Sequence, residues 1–169
     1  MKRIMIMGSA GSGKSTLAKL LSEKLQIDAI HLDKEFWQPG WIMTEKPDQI
    51  RIHESFMQRD KWIIDGNYCA SLKPRAENAD LAIFLDMPFH LCMYRVISRY
   101  FKNKGQIRED MSPGCEEKID REFLEYIVYY HREKKDKDYN LLRTHITDDK
   151  LVHLRSIKDV QKFLESIGK

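Results

Sequence analysis

Gly8-Ser9-Ala10-Gly11-Ser12-Gly13-Lys14-Ser15-Thr16 decides how the rest of this 169-residue chain is read. The stretch fits G-x-x-x-x-G-K-[ST], the Walker A phosphate-binding loop. Ahead of it, Ile4, Met5, Ile6 and Met7 form a short apolar run, as a strand buried on both faces of a parallel sheet requires. Behind it, Leu17, Leu20, Leu21 and Leu25 recur at helical spacing. Strand, glycine-rich turn and helix are therefore in the order the motif needs. Gly8, Gly11 and Gly13 let the backbone come close to a phosphate. The helix N-terminus, from Ser12 to Thr16, adds unpaired N–H donors and a dipole favourable to an anion. Lys14 can place its ammonium on the β- and γ-phosphates, and Ser15 can ligate Mg²⁺. The alternative is a turn that merely caps a helix; the flanking strand and helix argue against it.

The chain is long enough for one domain with one core, and residues 1–169 are read as a single unit. A net charge of +3 does not call for a polyanionic partner, which argues against nucleic acid. Cys69, Cys92 and Cys115 are odd in number and far apart, without a C-x-x-C pair. They read as reduced thiols of a cytoplasmic protein rather than zinc ligands or disulfides. Residues 3–7 are too short for the apolar region of a secretory signal, and no run has the length of a membrane span.

A second strand is expected over Ile27–Leu32, ending at Asp33. Ligands of open parallel sheets bind beyond the carboxyl ends of strands. Asp33 can there orient or deprotonate an acceptor hydroxyl, or hold Mg²⁺ through water; a loop or helix-capping role is the alternative. Trp37 and Trp41, around the turn Pro39-Gly40, suggest either an aromatic wall for a pocket or simple packing of a loop. A helix is expected over Pro47–Arg59, with His53 structural or exposed. Trp62, Ile63 and Ile64 then make a third strand, closed by Asp65-Gly66. An acid at that place can hold the water shell of Mg²⁺, though Asp-Gly is also a common turn. Ser71–Asn78 reads as a short helix carrying Lys73 and Arg75. Leu81–Leu85 is a fourth strand, and Asp86 after it is a second metal candidate, ranked below Asp65 because Pro88 turns the chain.

Pro88–Tyr100 is expected to be a helix with Met93, Val96, Ile97 and Tyr100 on one face and Arg95 and Arg99 on the other. Five basic residues and no acid lie between positions 95 and 108: Arg95, Arg99, Lys102, Lys104 and Arg108. They form either a solvated basic face or a lid for phosphoryl transfer, placed at about 101–118, whose guanidinium groups would neutralise the transferred group. Ser112-Pro113-Gly114 closes the segment. A long helix is expected over Glu116–Lys137, and a fifth strand over Leu151–Leu154. Arg155-Ser156 at the end of that strand is an edge for a nucleotide base. Ser156-Ile157-Lys158-Asp159 fits a capping box that opens the last helix.

Together these segments resemble the adenylate-kinase-like branch of the P-loop kinases. Arg95-Val-Ile-Ser-Arg99 resembles that family's helix-to-lid junction, Arg108-Glu-Asp110 its second basic lid position, and Asp65-Gly66 the Asp-Gly after its third strand. More narrowly, Leu32-Asp33 with Trp37-Gln-Pro-Gly-Trp41, Trp62-Ile-Ile-Asp-Gly-Asn-Tyr68 and Arg108-Glu-Asp-Met-Ser-Pro-Gly-Cys115 resemble a small group labelled DNA topology modulation proteins. The resemblance implies a three-layer α/β P-loop NTPase fold: a five-stranded parallel sheet of order 2-3-1-4-5, helices on both faces, and a lid. It implies an ATP-dependent phosphotransferase using ATP and Mg²⁺. Lys14, Asp33, Arg95, Arg99 and Arg108 would carry catalysis. The loop Gly8, Gly11, Ser12, Gly13, Lys14, Ser15 and Thr16, with Arg95 and Arg155, would hold ATP. Ser15 and Asp65 would hold the metal, and Asp33, Trp37, Asp65, Gly66 and Arg75 would meet the acceptor, Arg75 by gripping a phosphate. The chain departs from adenylate kinase where Asp33 and two tryptophans replace a Thr-Gly segment, and where Asn67-Tyr68 replaces Pro-Arg. These departures weigh against AMP and resemble kinases of nucleosides or small hydroxyl compounds; the expected acceptor is a nucleotide, a nucleoside or another small hydroxyl or phosphate compound. The alternative function is an ATP-binding regulator that affects DNA topology. A monomer and a homodimer are both compatible with the sequence.

Overall fold

The structure is a computed structural model that describes residues 1–167. Strand β1 (Arg3–Gly8) leads into helix α1 (Lys14–Leu25), followed by β2 (Ala29–His31) and α2 (Leu32–Phe36). A small hairpin, β3 (Trp37–Gln38) and β4 (Ile42–Met43), precedes α3 (Lys46–Met57) and β5 (Trp62–Asp65). Then come α4 (Leu72–Asn78), β6 (Leu81–Leu85) and α5 (Phe89–Asn103). A connection without regular helix runs to α6 (Arg121–Tyr129), α7 (Lys135–Arg143), β7 (Leu151–Leu154) and α8 (Ile157–Ser166).

The main sheet is parallel throughout, in the order β2-β5-β1-β6-β7. With the antiparallel hairpin set aside, its strands taken in chain order read 2-3-1-4-5, the arrangement the resemblance implies. The central strands form continuous apolar runs because helices cover both faces. Side chains alternate between faces. Met5, Met7, Ile64 and Phe84 pack toward α2, α3, α4 and α7 through Phe36, Phe56, Leu72 and Leu142. Ile4, Ile6, Ile63 and Ile83 pack toward α1, α5 and α8 through Leu17, Leu21, Cys92 and Phe163. Each such fully buried apolar side chain contributes about 1.5–3 kcal/mol. The core therefore fixes the three neighbouring strand ends that carry Gly8, Asp65 and Leu85, with Gly8 level with Leu85 and Asp65 level with Ile6.

Several local elements differ from the expectations. The second strand stops at His31, and Asp33 lies in the first turn of α2. Leu32 and Phe36, four residues apart, are both buried, so a helical period takes over where a strand period was expected. The turn Pro39-Gly40 closes the hairpin, with Trp41 at φ 63°, a left-handed backbone rare for a bulky residue. On α5 the inner residues are Cys92 and Val96, both at 0% exposure, whereas Ile97 is 40% exposed and Phe101 74%. The expected inner stripe is thus rotated, because Arg95 and Arg99 face the loop at 8–16. The helix expected from Glu116 starts only at Arg121, where Asp120 caps it by accepting the Phe123 N–H at 2.8 Å. A π-helical turn (Tyr130–Lys134) then separates α6 from α7. Ser156 caps α8 by accepting the Asp159 N–H, as the capping box requires. All three cysteines are free; Cys69 is exposed, Cys92 and Cys115 buried. Among the described residues, no helix is long and apolar enough to cross a membrane.

Candidate active site

The loop from Gly8 to Gly13 is a backbone cradle that excludes side chains. A Cβ on Gly11 would stand 2.4 Å from the Cys92 carbonyl oxygen, and one on Gly8 2.5 Å from that of Leu85. Both positions have positive φ as well, 76° and 148°. Gly13 occupies the N-cap of α1, so the first N–H groups of that helix are directed into the cradle. The buried hydroxyls of Ser9 and Ser12 have no hydrogen-bond partner. Lys14 folds back over the loop, its Nζ donating to the Ser9 carbonyl at 2.9 Å. Burial pushes its pKa down, opposed by the charges of Asp33 and Asp65. Orphaned hydroxyls, helix donors and an enclosed ammonium together fit a triphosphate. Thr16, the last residue of the motif, is exposed at the rim.

Asp65 is the hub beside this cradle, only 3% exposed. Its Oδ2 accepts from the Ser15 hydroxyl at 2.9 Å. His31 is its register partner on β2, with Nδ1 2.8 Å from Oδ1. Burial acts to lower the His31 pKa, but the hydrogen bond and charge of Asp65 outweigh it, and the pKa lies above its ordinary value. Ser15 and Asp65 offer the hard oxygen donors that Mg²⁺ takes, directly or through water. Asp86 does not compete for that role. It is engaged by Lys135 at 2.8 Å and His153 at 3.1 Å, and these outweigh its burial and lower its pKa. Gly66 lets the chain pass Leu32, whose Cβ would stand 2.9 Å from a side chain at that place. Asn67 then binds both backbone groups of Gly8, accepting its N–H at 3.0 Å and donating to its carbonyl at 2.5 Å. Sequence reasoning assigned no role to His31 or Asn67. The signal for Asn67 was its place after Asp65-Gly66; for His31 it was its place two residues before Asp33.

Asp33 is exposed, and its Oδ1 accepts from the Tyr68 hydroxyl at 2.8 Å. Burial and the Asp33 charge push the Tyr68 phenol far above its ordinary pKa, so it stays a donor. The Tyr68 ring meets Phe36 edge-on at 4.7 Å. Trp37 and Trp41 meet at 5.5 Å, and Trp37 lines an open groove of about 600 Å³ with Thr44, Arg51 and Ser112. Arg75 is not brought to this surface. It is 0% exposed, and its guanidinium donates to the carbonyls of Ser71, Gly66 and Tyr68 at 3.2, 2.9 and 3.0 Å. Burial lowers its pKa to about 10. The expected grip on an acceptor phosphate is therefore corrected: Arg75 is a brace beneath the loop 66–68, because it is fully buried with its guanidinium on three backbone carbonyls.

The arginines of α5 and the connection do converge. Arg95 Nη1 donates to the Ser12 carbonyl at 3.1 Å. Arg99 Nε donates to Glu117 Oε1 at 2.8 Å, and Arg108 Nε lies 2.7 Å from Glu117 Oε2. Arg108 Nη1 also donates to Asp110 at 3.0 Å. Glu117 escaped the sequence reading, which placed it inside a helix. The connection is docked on the acceptor side: Gly40 N–H donates to Gly114 at 3.0 Å, Trp41 Nε1 to Glu116 at 3.1 Å, and the Ser112 hydroxyl to Lys34 at 3.1 Å. Arg155 stands apart from the cradle, exposed at the rim of a cavity of about 480 Å³ lined by Asp86, Phe89, His131 and Lys135.

A family model described as an AAA domain matches residues 4–125. The chain belongs to that family. The span of this AAA domain runs from β1 into α6 and contains the cradle, Asp33, Asp65 and the arginine cluster, but not Arg155. A Bacillus subtilis protein described as uncharacterized, YqaC, is 26% identical over 160 residues, covering 94% of this chain and 89% of that one. A shikimate kinase of Caldicellulosiruptor saccharolyticus is 32% identical over 65 residues, 38% of each chain. Among solved structures, a shikimate kinase from Acinetobacter baumannii in complex with shikimate superposes with a TM-score of 0.60 at 14% identity, over 99% of this chain and 90% of that one. A gluconokinase from Sinorhizobium meliloti superposes with a TM-score of 0.54 at 14% identity, over 97% and 87%. These two likenesses show the α/β P-loop fold.

Proposed function

We propose that the protein is an ATP-dependent kinase that phosphorylates the hydroxyl group of a small molecule. The observation that carries this reading is Asp33, an exposed carboxylate held by Tyr68 and near enough to Lys14 to act on its charge. The charge of the tethered carboxylate thus acts on the same lysine that folds over the phosphate cradle. When bound, ATP supplies the phosphoryl group and Mg²⁺ neutralises its charge. Lys14 and the loop N–H groups hold the phosphates, and Ser15 with Asp65 holds the metal. Arg95 braces the loop, while Arg99 from α5 and Arg108 from the lid at about 101–118 present guanidinium charge to the transferred group. Asp33 keeps one oxygen on Tyr68 and uses the other to orient the acceptor hydroxyl and take its proton. Trp37 and Gly66 wall that place, and Arg155 is the edge of the base site. Because Arg75 is spent on carbonyls, the acceptor side has lost the cation expected to grip a phosphate. This favours an uncharged hydroxyl compound or a hydroxy acid over a nucleoside monophosphate. Relatives named shikimate kinase and gluconokinase support the same class.

The test is transfer of labelled γ-phosphate from ATP with Mg²⁺ to a panel of nucleosides, polyols, sugar acids and cyclic hydroxy acids. Label should appear on a hydroxyl compound and vanish when Mg²⁺ is chelated. Tight ATP binding with no labelled product across the panel, or label on nucleoside monophosphates alone, would overturn it.

A further inference from the structure

Two guanidinium groups from different segments meet on one carboxylate. Arg99 comes from α5 and Arg108 from the connection; Glu117 accepts the Arg99 Nε–H at 2.8 Å, and its other oxygen pairs by charge with Arg108, whose Nε lies 2.7 Å away without hydrogen-bond geometry. The Glu117 side chain is 3% exposed, and a carboxylate buried that far needs the cations that face it. The choice of donor matters. In Arg99 the bound donor is Nε, the N–H nearest the aliphatic stem, which leaves the outer Nη edge of its guanidinium free. Arg99 keeps both Nη groups, and Arg108 keeps one, the other being held by Asp110. Two like charges brought this close repel, and an interposed carboxylate offsets the repulsion. Glu117 is itself fixed by its backbone, with its N–H donating to the Gln106 carbonyl at 3.0 Å beside a bridge to Lys104.

We infer that Glu117 is a positioning residue: it gathers Arg99 and Arg108 into one anion-binding fork whose outer donors select a terminal phosphoryl group. The inference rests on the kinase reading, in which those two arginines meet the γ-phosphoryl. The opposite role is a carboxylate that stands in for the phosphoryl group and must leave before it arrives. The two roles predict opposite signs.

The experiment is calorimetric titration with ATP and with ADP, each with Mg²⁺, of the wild type, Glu117→Gln, Arg99→Ala/Arg108→Ala and the triple variant. Glutamine keeps the shape and removes the charge. Glu117→Gln should weaken ATP binding about tenfold and leave ADP within about twofold, and in the double-alanine background it should change neither. Unchanged or tighter ATP binding by Glu117→Gln overturns the inference, and tighter binding is the signature of the stand-in. An equal ATP-over-ADP preference in the wild type and the double-alanine variant instead overturns the kinase reading of the arginines, whatever Glu117 does. If thermal melting shows that Glu117→Gln does not fold, Glu117→Asp carries the test. It keeps the charge on a shorter stem and should lower the ATP-over-ADP preference at constant ADP affinity; an unchanged preference overturns the inference.

Discussion

The two halves of the candidate site are built from different materials. The phosphate half is backbone: Gly8 and Gly11 at positive φ, the first N–H groups of α1, and one lysine folded over them. The acceptor half is side chain: Asp33 on Tyr68, Trp37 beside Trp41, and a docked connection, much of it exposed. A phosphate presents the same oxygens whatever carries it, and few backbone arrangements cradle it. An acceptor can have many shapes, each served by other side chains on the same frame. The first half is therefore spelled as a motif, and the second is not.

The sharpest way to break this comparison is Asp33→Asn. Phosphoryl transfer should fall about 10³-fold, within the range a general base contributes, while ATP affinity stays within about twofold. A parallel loss of ATP affinity would mean that the halves are not separable. Arg75→Met comes next. Leaving three carbonyls without a donor should cost about 3 kcal/mol in urea unfolding. Unaltered stability with a raised acceptor KM would instead return Arg75 to the acceptor surface.

Acid should also loosen the fold. His53 on α3 is 2% exposed, and burial, with a smaller effect of the Arg75 charge, lowers its pKa from 6.5 to about 4. The unfolded chain takes up this proton near pH 6.5 and the folded chain only near pH 4, so stability drops as pH falls through that window. Wild type should lose about 2 kcal/mol more than His53→Leu between pH 7.5 and pH 5, read from denaturant melts. Equal losses would remove His53 as the cause. The smallest effect is expected from Tyr68→Phe, about a tenfold loss of turnover with ATP affinity intact, because Asp33 keeps its charge and loses only its tether. A loss as large as that of Asp33→Asn would make Tyr68 a direct partner of the acceptor.

The legible parts of the fold were those where local pattern and tertiary packing agree. β1, β5, β6 and β7 could be read as apolar runs, and the site residues on them followed: the loop after β1 and Asp65 at the end of β5. Where tertiary contacts decide, the reading slipped. Leu32 and Phe36 are two apolar positions in a charged stretch, and only the core beneath them makes that stretch a helix. Arg75 looks like any basic residue on a short amphipathic helix, and nothing local says that three carbonyls lie under it. Glu117 sits in a run that reads as helix, and its partners are 18 and 9 residues away along the chain. Arg95 and Arg99 were read as a pair from their spacing, but the face they share with Cys92 and Val96 was not.

Asn67 has a mechanical consequence. By pairing with both the N–H and the carbonyl of Gly8, its amide imitates one more residue of strand pairing beyond the end of β5. The start of the phosphate cradle and the turn after Asp65 are thereby spliced into one rigid body, with no hinge between them. The other border is held differently: the connection meets the hairpin at Gly114, Cys115 and Glu116, and Lys34 at Glu109 and Ser112, each through a separate hydrogen bond. One side chain thus ties the cradle to the sheet, while the opposite border depends on several contacts made by separate residues.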